Sequence, residues 1–421
     1  MLSILLETYY PKINKKQAML QKIIHRIAHP HHHWKKDTLG ELGEIYASMT
    51  LRTLGFGMIG IFVPVFLYQK GITLSNLYLY FMFFFIFRIL TIRLTATIVG
   101  RIGPKHSIAL STVLMMGFLM MLLSYDTFGW HISMLAFMLT AANGLFFTAY
   151  HTDFSKINHT AHGGKELGWM HIFQSLGLTL GPLIGGIIAS LFSPGWTFTV
   201  SIVVLFVSLV PLFFTKEPIK VHQKLDFSAF KPSLYIRDYI SVSALNLTHL
   251  ASASFWPLLL AIFIFDGDVY AKVGVLVALS TIISVFSARM FGKFVDNKKG
   301  LYLLRYGTIM LTLGSFLRSI ITTSSGALAL SMVNEPSFLS VQLPLQKNFY
   351  DAADSVPESN RILYIAWAEI IGALVKLLFC TGLFVASYFF DPIHVLRVSF
   401  IVAGLATPLM LMQRFPGLKR V

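Results

Sequence analysis

The sequence predicts an all-α membrane protein, with twelve transmembrane helices in two pseudo-symmetric six-helix bundles. Three observations lead there. First, the 421 residues are 55% apolar and only 13% charged, with a mean hydropathy of +0.68, whereas a soluble chain carries about 25% charged residues. Second, apolar runs close to the ~20 residues that cross a bilayer as a helix recur at 45–68, 74–95, 106–124, 130–150, 167–191, 196–215, 239–264, 273–290, 301–321, 326–346, 362–389 and 393–413. Third, these runs divide six and six around a basic, proline-containing segment, and the halves echo each other. Pro64 corresponds to Pro257, Gly71 to Gly267, and Ala96 to Gly292.

The domain layout follows. Residues 1–42 form a basic arm, 43–215 the first bundle, 216–236 a linker, 237–413 the second bundle and 414–421 a tail. The formal net charge of +15 is unevenly placed. With the N-terminus inside, the outer loops hold only Lys70 and Lys272, and every other loop or tail cation falls inside. That is the positive-inside pattern, which puts both termini in the cytoplasm. The basic charge therefore reports topology and attraction to anionic inner-leaflet lipid, not a nucleic-acid partner. The expected setting is a bacterial cytoplasmic membrane, and the expected state a monomer without a cofactor.

In the arm, Met19, Leu20, Ile23, Ile24 and Ile27 make a helical apolar stripe. Lys15, Lys22 and Arg26 lie outside it and Lys16 within it, which suits a helix near 13–28 lying on the membrane. His29, His31, His32 and His33 follow, as a solvated loop or a metal-binding cluster. A single cysteine, Cys380, excludes an internal disulfide and a multi-cysteine metal site. In span eleven it reads as a small buried apolar residue.

Span one carries Arg52, with Glu44 only at its inner edge. Span two carries Arg88 and Arg93 toward its inner end, where both read as interfacial cations. The following loop is Ala96-Thr-Ile-Val-Gly-Arg101-Ile-Gly103-Pro-Lys105. Span four holds Asn143 and ends in Tyr150-His-Thr-Asp153-Phe-Ser-Lys156, a distinctive run with no assignable substrate. Span five holds Gln174 and a spaced set of small residues, Gly168, Gly177, Gly181-Pro182 and Gly185-Gly186. Glycines 177, 181 and 185 share a face, which permits close helix packing. Span seven carries Asn246, His249 and Trp256. After span eight comes Gly292-Lys-Phe-Val-Asp296-Asn-Lys-Lys-Gly300. Arg305, Arg318 and Arg397 sit near the ends of spans nine and twelve, where long cations snorkel to the interface. Arg289 reads the same way.

Two of the nineteen acids lie well inside apolar runs, Glu335 in span ten and Glu369 in span eleven. An intramembrane carboxylate is costly and marks a functional site by default. Ser331, Glu335, Gln342 and Gln346 fall on one helical face, so that face meets a polar cavity or another helix. Pro336 leaves the Met332 carbonyl without its usual donor. Glu369 and Lys376 are two turns apart on one face, arranged for a static salt bridge or for a shared cavity.

The two corresponding loops resemble the major facilitator superfamily, whose loops after helices two and eight carry Gly-x-x-x-Asp-Arg/Lys-x-Gly-x-Arg/Lys. The first copy keeps Arg101, Gly103 and Lys105 but has Ala96 and Gly100 for the first Gly and the Asp. The second keeps Gly292 and Asp296 but has Asn297 and Lys299 for the basic residue and the second Gly. The span-five set resembles the family's fifth-helix motif, usual in drug and metabolite antiporters. The resemblance covers 43–413 and implies a cytoplasmic gate of Gly292, Asp296, Arg101, Gly103 and Lys105, with Asp153 beside it. It also implies a central path lined by spans one, two, four, five, seven, eight, ten and eleven. Two departures stand out: span four lacks the arginine motif of drug–proton antiporters, and span one lacks an embedded acid.

The implied function is secondary active transport of a small organic solute by alternating access, coupled most simply to protons, with export favoured. Glu335 is the first candidate for coupling and Arg52 for an anionic group. Glu369, Lys376, His249, Asn246, Trp256, Asn143, Gln174, Ser331 and Gln342 complete the candidate cavity. Import, transport of amphiphiles or lipids, a membrane-embedded enzyme and a non-transporting scaffold are the alternatives. No Gly-x-Ser-x-Gly, His-Glu-x-x-His or phosphate-binding loop occurs to support an enzyme.

Overall fold

The structure, a computed structural model, describes residues 36–157, 163–213, 225–228, 230–295 and 300–413. The arm stripe at 13–28, the histidines at 29–33, linker residues 216–224 and 229, Asp296 and the tail lie outside the described residues. Met1–Glu44 forms one compact unit, of which the start of a helix is described, and Ile45–Val421 forms the other.

Every regular element among the described residues is helical. The first six long helices are α1 (Lys36–Gly60, resumed at Val63–Gln69), α2 (Leu74–Ile102), α3 (Pro104–Leu123), α4 (Ile132–Ile157), α5 (Gly163–Leu191) and α6 (Pro194–Leu209). The next six are α7 (Ile236–Leu250, continued to Ile264), α8 (Val269–Phe294), α9 (Gly300–Ile320), α10 (Ser324–Ser355), α11 (Glu358–Ala386) and α12 (Pro392–Ala406). Ten of the twelve are long and apolar enough to cross a membrane. The other two, α9 and α10, have the length, but Arg305 and Arg318 in one and Ser331, Asn334 and Glu335 in the other make them more polar.

Local chemistry explains the breaks. Gly71 and Gly267 take φ of +88° and +72° at corresponding places after α1 and α7, a backbone region open mainly to glycine. Gly103, at φ +85°, separates α2 from α3, and Pro104 opens α3. Proline suits the first turn because its missing N–H would be unpaired there. The paired prolines also act alike. α1 is interrupted just before Pro64, and α7 runs through π-helical turns on both sides of Trp256-Pro257, since proline cannot donate to the preceding turn.

Helix α3 packs against both α4 and α6 in the first half, and α9 against both α10 and α12 in the second. Across the halves, α2 packs on α11 and α5 on α8. Large apolar side chains such as Leu191, Phe192, Phe286 and Phe389 face outward. In water such a surface would be an association hazard, whereas lipid tails cover it without cost.

Candidate functional site

The two halves are joined at mid-depth by an ion pair. Arg88 Nη2 of α2 lies 2.7 Å from Glu369 Oε2 of α11. Arg88 was expected near the inner interface because its apolar run ends near residue 95. The helix continues to Ile102, so Arg88 stands at its midpoint and is only 6% exposed at the side chain. Gly144 of α4 makes the room, since a Cβ there would fall 2.4 Å from Arg88 Nη1. Sequence reading singled out neighbouring Asn143, which is half-buried, and missed Gly144. Only the wall that Arg88 needs distinguishes Gly144. Glu369 and Lys376 are thus not a static pair.

A polar chain runs beside this pair. Gln174 of α5 donates to the Tyr150 hydroxyl at 3.0 Å. Tyr150 hydrogen-bonds Tyr350 of α10, and the Tyr350 hydroxyl lies 2.9 Å from His151 Nδ1. His151 is within electrostatic reach of both Arg88 and Glu369. The run from Tyr150 to Lys156, unassigned from sequence, therefore supplies two members of a chain that crosses between the halves.

Further along α11, Lys376 places its ammonium 5.0 Å from the Phe85 ring of α2. His249 of α7 contacts Phe338 of α10, with ring centres 5.5 Å apart, and feels the charge of Lys376. Asn246 lies against Gly372, whose missing Cβ would sit 3.5 Å from Asn246 Nδ2.

A second cluster lies within the second half. Glu335 Oε1 is 4.0 Å from Arg318 Nη2, and the Glu335 side chain is 36% exposed. Arg318 was expected to snorkel from the end of α9. Instead it is 1% exposed, because α7 and α10 enclose that turn. Its Nη1 donates to Ser252 Oγ and its guanidinium lies 4.9 Å from the Trp256 ring. With its amide oxygen turned toward Arg318, Asn334 accepts at 3.1 and 3.0 Å. Trp256 Nε1 donates to Ser331 Oγ at 2.9 Å. Gln342 is half-buried on the same helix.

Arg52 is placed differently from the expectation of a cavity cation. It is enclosed in the first half, with its guanidinium 3.6 Å over Phe146 of α4. It donates to Thr112 and Ser111 of α3 at 3.2 and 3.5 Å. The face of α1 that carries it looks into its own bundle.

The fifth-helix glycines are sites of backbone contact. Cβ atoms at Gly177, Gly181 and Gly185 would lie 2.7, 2.8 and 2.1 Å from backbone atoms of Leu54, Gly57 and Met58 in α1. On another face, a Cβ at Gly186 would meet the Tyr270 carbonyl at 2.5 Å, and one at Gly274 of α8 would meet the Pro182 carbonyl at 2.4 Å. Thus α5 approaches both halves closely. Gly168 lies on the same helix.

At the expected gate, Arg101 is exposed and Lys105 is 3% exposed. Ala96 packs with Ile92, Ile362 and Ala366 between α2 and α11. Asp153 lies on α4, and its side chain is outside the described ones. At Gly292, a Cβ would meet nothing within 4 Å among the described residues.

Two six-helix halves that meet around buried charge define a polytopic membrane protein of transporter architecture. The family model of the Major Facilitator Superfamily matches residues 45–346, and the chain belongs to that superfamily. Among solved structures it is similar to the MFS transporter FucP in the outward conformation, with TM-score 0.62, 15% identity, and 90% of this chain and 99% of that chain covered. It is also similar to a variant of the E. coli fucose:proton symporter FucP, with TM-score 0.60, 13% identity, and 89% and 98% covered. At these identities the likeness is one of fold. No curated protein matches the chain.

Proposed function

We propose that this protein is a proton-coupled secondary transporter that moves a small organic solute by alternating access, with both termini in the cytoplasm. The carrying observation is the Arg88–Glu369 pair, which ties α2 to α11 at mid-depth. While Glu369 is ionised, the pair holds the halves together. A proton on Glu369 removes the charge that Arg88 is bound to and releases that tie. Loss of the proton on the other side restores it. Glu369 therefore replaces Glu335 as the leading coupling acid. The fold of a family of transporters supports this reading over an enzyme, and the fifth-helix glycines favour export. Asp296, with Arg101 and Lys105, remains the proposed cytoplasmic gate.

The test uses purified full chain in proteoliposomes with an internal pH dye. A solute that stabilises the protein is applied as a gradient, and proton movement is recorded. Glu369→Gln should abolish proton flux and gradient-driven accumulation while solute exchange persists. Normal accumulation by that variant ends the assignment. A second reading keeps Glu335 as the coupling acid, because its side chain is the more exposed of the two and its ion pair the longer. Under that reading Glu335→Gln, and not Glu369→Gln, uncouples transport.

A further inference from the structure

The span-embedded charges do not balance. Each of the two acids is held by an arginine, Glu369 by Arg88 and Glu335 by Arg318. Leaving aside Arg93, Arg289, Arg305 and Arg397 toward the helix ends, Arg52 and Lys376 are left over. Arg52 is closed in by α3 and α4 and bonded to hydroxyls. Lys376 has neither arrangement. Among the described residues no carboxylate lies within 4 Å of its ammonium and no acceptor within hydrogen-bonding distance. An ammonium carries three donors, and leaving them unmet at membrane depth is costly.

Its surroundings lie between the halves. Phe85, over which the ammonium sits, belongs to α2 of the first half, while His249 and Asn246 belong to α7 and Phe338 to α10 of the second. His249 is exposed although it lies mid-helix, and it both contacts Phe338 and lies within electrostatic reach of Lys376.

We propose that Lys376, with His249 and Asn246, binds the anionic group of the transported solute, making that solute a small organic anion, carboxylate or phosphate. Phe85 and Phe338 would flank an apolar body. This rests on the transporter reading and adds the substrate class. An anion would give Lys376 the acceptor that the protein withholds, and its charge would offset the excess positive charge of the interior. Neighbouring Arg88 is occupied by Glu369, so Lys376 is the cation free to act. A coupling acid seven residues away on the same helix would let the proton state of Glu369 alter how strongly the anion is held.

The experiment is equilibrium binding to detergent-purified full chain, read by thermal shift at fixed ionic strength. The probes are benzoate, phenyl phosphate, neutral benzamide and cationic benzylamine. Benzoate or phenyl phosphate should stabilise the protein and the other two should not; whichever anion acts tells carboxylate from phosphate. Lys376→Gln should weaken that binding roughly tenfold or more, as expected for losing a charge-assisted contact, and Lys376→Arg should retain it. If Lys376→Gln does not fold, benzoate and phenyl phosphate are tested for protection of Lys376 from an amine-reactive ester in the unmodified protein. Equal response to benzamide, no response to either anion, unchanged affinity in Lys376→Gln, or no protection overturns the proposal. Glu369→Gln should still bind the anion. Anion indifference with proton-driven uptake of another solute would overturn the substrate class alone. Lys376-dependent binding without any transport would overturn the transporter reading alone.

Discussion

Replacing Glu369 with glutamine leaves Arg88 charged, buried and without a carboxylate. Arg88 is 6% exposed and walled by Gly144 of α4, so water cannot readily take over. Removing one member of a buried ion pair costs about 3–5 kcal/mol. The 20% exposure of Glu369 argues for the lower end. Lys376, within electrostatic reach of Glu369, adds uncompensated positive charge in the variant. The converse change, Arg88→Met, should cost less, because Glu369 keeps Lys376 as a favourable neighbour. Changing both, to Arg88→Met with Glu369→Leu, removes the desolvated charges together and should return stability to near or above the starting value. The assay is tryptophan fluorescence of purified protein against denaturant. Because a chain of this size need not unfold in one step, the prediction is the order of midpoints: lowest for Glu369→Gln, then Arg88→Met, with the double variant restored. The restored double variant should still fail to move protons with solute. Midpoints that do not separate, or Arg88→Met falling below Glu369→Gln, would refute the view that this pair holds the halves.

Gly144→Ala should displace the Arg88 guanidinium and reduce coupled transport, measured in proteoliposomes with the internal pH dye. Gly185→Ala and Gly274→Ala push backbones apart at α1–α5 and α5–α8 and should each destabilise by about 1–3 kcal/mol or more, seen as lower denaturation midpoints. Gly292→Ala, with open space at its Cβ, should be neutral or stabilising by up to about 1 kcal/mol, and a loss of that size would show that α8 needs glycine there. Trp256→Phe removes the donor to Ser331 and should lower stability by about 1 kcal/mol.

The helices were legible in the sequence because a bilayer demands long apolar runs and little else produces them. All twelve runs reappear as helices, α9 and α10 included, although charge and polar side chains dilute those two. Gly71, Gly267, Pro64 and Pro257 were legible for a related reason: a left-handed φ and a missing N–H act on the backbone locally. The partners of the charged side chains were not legible. Sequence spacing sees neighbours on one helix, and so it offered Glu369 and Lys376 as a salt bridge or as one cavity wall. Tertiary packing instead brought Glu369 to Arg88, 281 positions away, and enclosed Arg318 rather than letting it reach an interface. A charged group buried at membrane depth takes the nearest opposite charge in space. Which charge is nearest depends on how α2 crosses α11 and α9 meets α10, and those crossings depend on where small residues such as Gly144 leave room.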